Sequence, residues 1–147
     1  MSAESRAEVT WNGTLAQGAG RLRLASGVVP ELPVTWASRT ARSAGKTSPE
    51  ELLAGAHAAC FSMAFSHGLS EAGTPPERLD VSATVTFAQG DGGFAVQSSH
   101  LDVRGVVPGL DQAGFETAAA AAKDGCPISQ ALKGNIALSV TATLEQA

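Results

Sequence analysis

Two cysteines and their histidine neighbours are the residues of this sequence that could do chemistry. Residues 57–67, HAACFSMAFSH, hold Cys60 between His57 and His67, and the second cysteine, Cys126, lies in DGCPISQAL. A cysteine reacts as its thiolate, and its pKa falls near a positive charge or at a helix N-terminus. The pair could therefore be inert core residues, a structural disulfide, metal ligands, a nucleophile with a histidine base, or a redox pair.

The composition and net charge of the chain exclude some kinds of partner and favour some of these interpretations of the cysteines. The 147 residues fit one domain, residues 1–147. The net charge of −4, from 10 basic and 14 acidic residues without a Lys/Arg run, argues against a nucleic-acid or anionic-membrane partner. No stretch approaches about 18 uninterrupted apolar residues, so nothing is expected to span a membrane. The N-terminus MSAESRAEVTWNG carries no apolar signal segment. We therefore expect a cytoplasmic protein, in a compartment where permanent disulfides are rare and cysteine pairs are more often catalytic or metal-binding.

Strand patterns fill the first third of the chain. The segments AEVTWNGTL, GRLRLASG and LPVTWASR combine β-branched or aromatic residues with rough alternation, and Gly, Pro and Asn separate them. The polar segment TARSAGKTS follows and predicts a loop.

The first helix is predicted to begin after Ser48. Ser48 is the expected N-cap, Pro49 takes the first helical position, and Glu51 completes the Ser-x-x-Glu capping box. Gly73 and the following TPP end the helix. The helix is apolar on much of its circumference, which predicts a central position.

The second half of the chain predicts strands and helices in an irregular order. The segments LDVSATVTFAQG, GFAVQSSHLDVRGVV and NIALSVTATLE predict strands, and QGDGG predicts a hairpin turn between the first two. A second helix is predicted from a cap at Asp111 to Gly125, and a short further helix begins with Pro127. Because this order is not regular βαβ alternation, we expect an α+β fold with a mainly antiparallel sheet.

The two cysteines differ in what their predicted helices offer them. Cys126 directly precedes Pro127 at a helix start, where the dipole and free N–H groups favour a thiolate. Cys60 lies about three turns into its helix and would need a cation from elsewhere. At about 100° per residue, His57 lies about 60° and His67 about 20° from Cys60 around that helix. The two cysteines and two histidines could supply four metal ligands, or His57 could act as a base. Neither a C-x-x-C motif nor an orienting Asp or Asn supports these interpretations.

Two motifs carry a family resemblance. The segments TSPEELLAGAHAACFSMAF and AKDGCPISQALKGNIAL resemble the OsmC/Ohr family of osmotically inducible and organic hydroperoxide resistance proteins, as do WNGTL, GAGRLRLASGVV and VPGLD elsewhere. The resemblance runs over essentially the whole chain and is closer to the OsmC branch. It implies the OsmC-like fold, a mainly antiparallel sheet wrapped around central helices in an intertwined homodimer, with N-terminal strands that cross to the partner.

The resemblance also implies an activity. It identifies the chain as a thiol-dependent peroxidase that reduces organic hydroperoxides, and inorganic ones less efficiently, in oxidative or osmotic stress defence. Cys60 matches the peroxidatic cysteine and Cys126 the resolving cysteine, so turnover passes through a Cys60 sulfenic acid and a Cys60–Cys126 disulfide. Glu50 matches the catalytic glutamate of the P-E-x-L motif.

An arginine completes the family site, and its position differs between the two branches. In the OsmC branch it precedes P-E-E-L by a short loop, where Arg39 fits and Arg42 is the alternative. In the Ohr branch it lies near the N-terminus, where this chain has Arg21 and Arg23. An arginine beside Cys60 would supply the cation that a mid-helix thiolate lacks, and the glutamate would hold it by a charge-assisted pair.

The resemblance implies partners but no metal or bound organic cofactor. The electrons come from an external dithiol, for which a lipoylated protein is one known donor in the family and thioredoxin-like proteins are an alternative. His57 is then a packed or polar neighbour rather than a catalytic group. The alternative function is non-enzymatic: a small apolar ligand binder or a redox sensor that uses the same cleft.

Overall fold

The computed structural model describes residues 1–41 and 44–146. They form two compact units, Met1–Leu52 and Leu53–Ala147. The single domain expected from the chain length stays a prediction.

The first unit is a three-stranded antiparallel sheet followed by a short helix. Strands β1 (Ala7–Asn12), β2 (Ala19–Leu24) and β3 (Leu32–Val34) pair in the order β1-β2-β3. Helix α1 (Trp36–Thr40) is capped by Thr35, which exchanges side-chain and backbone hydrogen bonds with Ser38. The sequence prediction of a strand through LPVTWASR is therefore wrong after Val34. Thr and Trp favour strands, but the reciprocal cap starts a helix.

Helix α2 (Pro49–Glu71) begins in the first unit and continues into the second. The Ser48 hydroxyl accepts a hydrogen bond from the backbone N–H of Glu51 at 3.1 Å, so the predicted start is confirmed. The carboxylate of Glu51 accepts a further bond from the Thr47 hydroxyl at 2.8 Å. The helix ends before Gly73, whose φ of 82° lies in the left-handed region that glycine adopts without steric cost.

The second unit contains a mixed sheet and two further helices: β4 (Arg78–Gly90), β5 (Gly93–Val106), α3 (Gln112–Gly125), α4 (Pro127–Leu132) and β6 (Ala137–Leu144). Strands β4 and β5 form the predicted antiparallel hairpin, while β5 and β6 pair in parallel. The α+β class is confirmed. The parallel pair is a departure from the antiparallel expectation, and α3 and α4 form the crossover that parallel strands require.

The core of the second unit gathers side chains from α2, β5 and α3. Phe61, Phe65 and Leu69 of α2 are 0%, 0% and 1% exposed, and they cluster with Leu101 and Phe115. The rings of Phe65 and Phe115 lie 5.1 Å apart. Among the described residues, α2 is the one helix long and apolar enough to cross a membrane. Its aromatic contacts identify it as a core helix.

Candidate active site

The two cysteines lie together in the second unit. Cys60 is a half-buried thiol on α2, and Cys126 is a fully buried thiol between α3 and α4. The backbone N–H of Cys126 donates to Ala122 at 2.9 Å, and its carbonyl accepts from Gln130 at 2.9 Å, so this residue ends one helix and begins the next. Pro127 takes the first position of α4, as predicted. Cys60 packs against the core cluster that contains Cys126, and each thiol shifts the pKa of the other.

The two thiols differ in their preference for negative charge. Burial raises the pKa of Cys126. Hydrogen bonds from the Cys60 thiol, from the backbone and hydroxyl of Ser129 and from the backbone of Ile128 outweigh burial, and they hold the pKa of Cys126 below its ordinary value. Burial and the hydrogen bond to Cys126 raise the pKa of Cys60. Within this unit the negative charge of the pair is therefore best placed on the Cys126 sulfur.

His57 is enclosed in the same region. It is 0% exposed, its Nδ1 lies 2.6 Å from the Ser99 hydroxyl, and its Nε2 lies 2.7 Å from the Ser129 hydroxyl. Burial lowers the pKa of His57, which favours the neutral ring. Both ring nitrogens contact serines, an arrangement unlike the carboxylate-oriented histidine of a protease-type cysteine site.

His67 lies apart from this cluster and is exposed. It lines an open surface cavity of about 560 Å³ together with Met63, Pro76 and Leu79. In the described ranges, no group of three or more His, Cys, Asp or Glu side chains is placed to hold a metal ion. The interpretation of the cysteines and histidines as four metal ligands is therefore not supported.

The predicted arginine and glutamate meet in the first unit. The Nε and an Nη of Arg39 both lie 2.9 Å from Oε1 of Glu50. The Glu50 side chain is only 8% exposed, and within the described part of the chain its Oε2 is buried without a hydrogen-bond partner. The hydroxyl of Ser38, next to Arg39, donates to the Thr47 carbonyl at 2.7 Å, which ties α1 to the segment leading into α2. A buried carboxylate held by one guanidinium is a charge-assisted pair.

The alternative arginines have other surroundings or lie outside the described residues. Arg21 lies 3.5 Å from Glu31, and Arg23 forms an ion pair with Glu8; both arginines are exposed on β2. Arg42 lies outside the described residues. Of the arginines that the structure describes in the first unit, Arg39 is the one paired with Glu50.

Two serines beside His57, Ser99 and Ser129, were not identified from the sequence. Ser129 follows Cys126 by three residues, a spacing that places it in the first turn of α4 and that could have been recognised. Ser99 lies on β5, and nothing in its strand pattern marks it as a partner of His57. The structure thus brings Cys60 together with Cys126, and Arg39 together with Glu50, and it adds the two serines.

The fold and the paired thiols define a class of thiol-based redox proteins, and comparison with known proteins gives the family. The chain belongs to the OsmC-like protein family, whose profile matches residues 42–141. It is 40% identical over 138 residues to "Peroxiredoxin OsmC" of Escherichia coli (strain K12), which covers 94% of this chain and 96% of that protein. It is 33% identical over 96 residues to the "Organic hydroperoxide resistance protein" of Xanthomonas axonopodis pv. citri (strain 306), covering 65% and 66% of the two chains.

Solved structures agree with this assignment. The organic hydroperoxide resistance protein OhrB of Bacillus subtilis superposes with a TM-score of 0.71 at 28% identity, over 95% of this chain and 98% of that one. The family and the OsmC-like fold predicted from the sequence are therefore confirmed.

Proposed function

We propose that this chain is a cysteine-based peroxidase that reduces organic hydroperoxides to alcohols. The contact between the free thiols of Cys60 and Cys126 carries the proposal. Such a peroxidase needs one sulfur to attack the peroxide and a second within reach of the oxidised sulfur. The enzyme class predicted from the sequence is confirmed by the names of the Escherichia coli and Xanthomonas relatives.

The reaction has three balanced steps. The Cys60 thiolate attacks the terminal oxygen of the hydroperoxide; an S–O bond forms, the O–O bond breaks, and the leaving alkoxide takes a proton to become the alcohol. Cys126 then attacks the sulfur of the Cys60 sulfenic acid, an S–S bond forms, and the departing hydroxide takes a proton to become water. An external dithiol restores both thiols by exchange and is itself oxidised to a disulfide.

Activation of Cys60 is assigned to Arg39 and Glu50. Burial and the contact with Cys126 raise the pKa of Cys60, so this sulfur needs a cation in order to attack as a thiolate. Arg39 supplies the cation, and the buried carboxylate of Glu50 orients its guanidinium through the paired hydrogen bonds.

The proposed assembly is an intertwined cytoplasmic homodimer that receives electrons from an external dithiol, such as a lipoylated protein. Several large apolar side chains support a second copy because they are exposed in the single chain: Val9, Leu15, Val28 and Met63. We infer that a second copy covers some of these side chains in the assembly.

Catalytic turnover tests the proposal. The wild-type chain, mixed with cumene hydroperoxide and dihydrolipoamide, is expected to consume many equivalents of peroxide per chain. Cys60→Ser should abolish consumption, and its near-equal side-chain volume makes it a matched structural control. A wild-type protein that stops after one equivalent, with dithiol still present, would identify a sensor or ligand binder instead.

A further inference from the structure

Three buried polar side chains form a hydrogen-bonded network next to Cys126, and the proposed reaction gives this network no role. It consists of Ser99, His57 and Ser129, which come from β5, α2 and α4 and are 0%, 0% and 2% exposed. The imidazole bridges the two hydroxyls at 2.6 Å and 2.7 Å. Ser129 lies in the first turn of α4, which Cys126 begins, and its hydroxyl lowers the pKa of Cys126 as a hydrogen-bond donor. A buried polar group without a hydrogen-bond partner destabilises the fold, so each N–H and O–H in this network should have an acceptor. The position of each hydrogen can therefore be assigned in turn.

When Cys126 is a thiolate, the number of hydrogens in the network determines which group donates and which accepts in each hydrogen bond. The neutral ring of His57 has one N–H and one bare nitrogen, so one serine donates to it and the other accepts from it. The single hydrogen of the Ser129 hydroxyl is donated to the sulfur of Cys126. Ser129 must therefore accept from Nε2–H, and Ser99 must donate to Nδ1. The hydrogen bonds then all run in one direction, from Ser99 through His57 and Ser129 to the sulfur of Cys126.

We propose that His57 is a positioning residue for disulfide formation, which holds the Ser129 hydroxyl as a donor aimed at the sulfur of Cys126. This inference rests on the proposed function, in which Cys126 attacks the oxidised Cys60. The donated hydrogen stabilises the anionic sulfur before the attack. As the S–S bond forms, that sulfur loses its negative charge, and the hydroxide that leaves Cys60 takes a proton from solvent.

The first test measures the reactivity of Cys126 without any peroxide. In a Cys60→Ser background, the rate of iodoacetamide alkylation is followed against pH. Ser129→Ala removes the donated hydrogen, and it is expected to raise the alkylation midpoint by about one to two pH units, the size expected when a charged group loses one hydrogen bond.

Two histidine variants separate positioning from packing. A glutamine side chain ends near the place of Nε2 and keeps a donor for Ser129, whereas asparagine ends near Nδ1 and does not reach Ser129. His57→Asn should therefore raise the midpoint as Ser129→Ala does, and His57→Gln should stay near the wild-type value. Ser62→Ala is the matched control, because the Ser62 hydroxyl donates to the Ala58 carbonyl within α2; it should leave the midpoint unchanged.

The second test separates the two chemical steps in a single turnover with one equivalent of cumene hydroperoxide. Ser129→Ala and His57→Asn should form the Cys60 sulfenic acid at least as fast as the wild type, and should slow disulfide formation about ten-fold at neutral pH. If Ser129→Ala and His57→Asn both keep the wild-type alkylation midpoint of Cys126, the proposed positioning role of His57 is overturned, whatever the rate of peroxide turnover. If the midpoints shift but the wild type consumes no peroxide, the proposed function fails and the positioning contact stands.

Discussion

Arg39→Ala is expected to transfer the reactive thiolate from Cys60 to Cys126. The contacts within the second unit raise the pKa of Cys60 and lower that of Cys126. If Arg39 is the cation that reverses this order, its removal leaves only those contacts. Peroxide attack should then slow in proportion to the lost Cys60 thiolate.

The size of the effect follows from the Arg39–Glu50 pair. A guanidinium about 4 Å from a thiolate attracts it by about 4 kcal/mol at an effective dielectric constant of about 20. The carboxylate of Glu50 binds the same guanidinium through two 2.9 Å contacts, and a carboxylate at roughly twice the separation would offset about 2 kcal/mol of that attraction. The remaining 2 kcal/mol or so corresponds to about 1.5 pKa units, and shielding from water raises the shift to about two or three units.

The assay is iodoacetamide alkylation of Cys60 against pH in a Cys126→Ser background, compared across single arginine variants. Arg39→Ala should raise the midpoint, and Arg39→Lys should restore it only in part, because lysine lacks the planar fork that can contact thiolate and carboxylate together. Arg21→Ala and Arg23→Ala are the controls, since both residues are exposed.

One outcome would refute the assignment of Arg39. If Arg39→Ala leaves the alkylation midpoint of Cys60 unchanged while Arg42→Ala, Arg21→Ala or Arg23→Ala raises it, the activating cation comes from a different segment.

Three further predictions concern stability and assembly. A Cβ on Gly105 would lie 2.6 Å from the Phe115 ring, so Gly105→Ala should lower the free energy of unfolding by about 1–3 kcal/mol in urea titrations, whereas Gly92→Ala, with nothing within 4 Å, should not. Burial lowers the pKa of His57, so below about pH 6.5 the unfolded chain binds a proton that the folded chain does not. The free energy of unfolding should therefore fall with falling pH, by up to about 1.4 kcal/mol per pH unit; His57→Gln should reduce this slope. Sedimentation should give a homodimer at micromolar concentration, and a stable 14.8 kDa monomer would contradict it.

Features set by neighbouring residues could be predicted from the sequence. The start of α2 depends on Ser48 and Pro49, and the start of α3 depends on Asp111, whose carboxylate accepts from the N–H of Gly114 at 2.8 Å. Alternating strands and glycine turns likewise follow from local steric preferences. In α1, two local signals conflicted: Thr35 and Trp36 favour a strand, and the reciprocal cap with Ser38 overrode them.

Features set by distant residues could not be predicted in the same way. The parallel pairing of β5 with β6 depends on how α3 and α4 cross over, which no single segment encodes. The partners of His57 lie 42 and 72 residues away, at Ser99 and Ser129. Glu50 lies in a family motif and Arg39 precedes that motif by a short loop, so their pairing, across only 11 residues, could be anticipated from the sequence.

The most direct test of the central claim is to map the thiols after one equivalent of cumene hydroperoxide, without reductant. Both thiols are expected to disappear, and peptide mapping should find a Cys60–Cys126 disulfide within one chain. In Cys126→Ser, oxidation should stop at a Cys60 sulfenic acid that dimedone traps. Two free thiols that both survive one equivalent of hydroperoxide would contradict this mechanism.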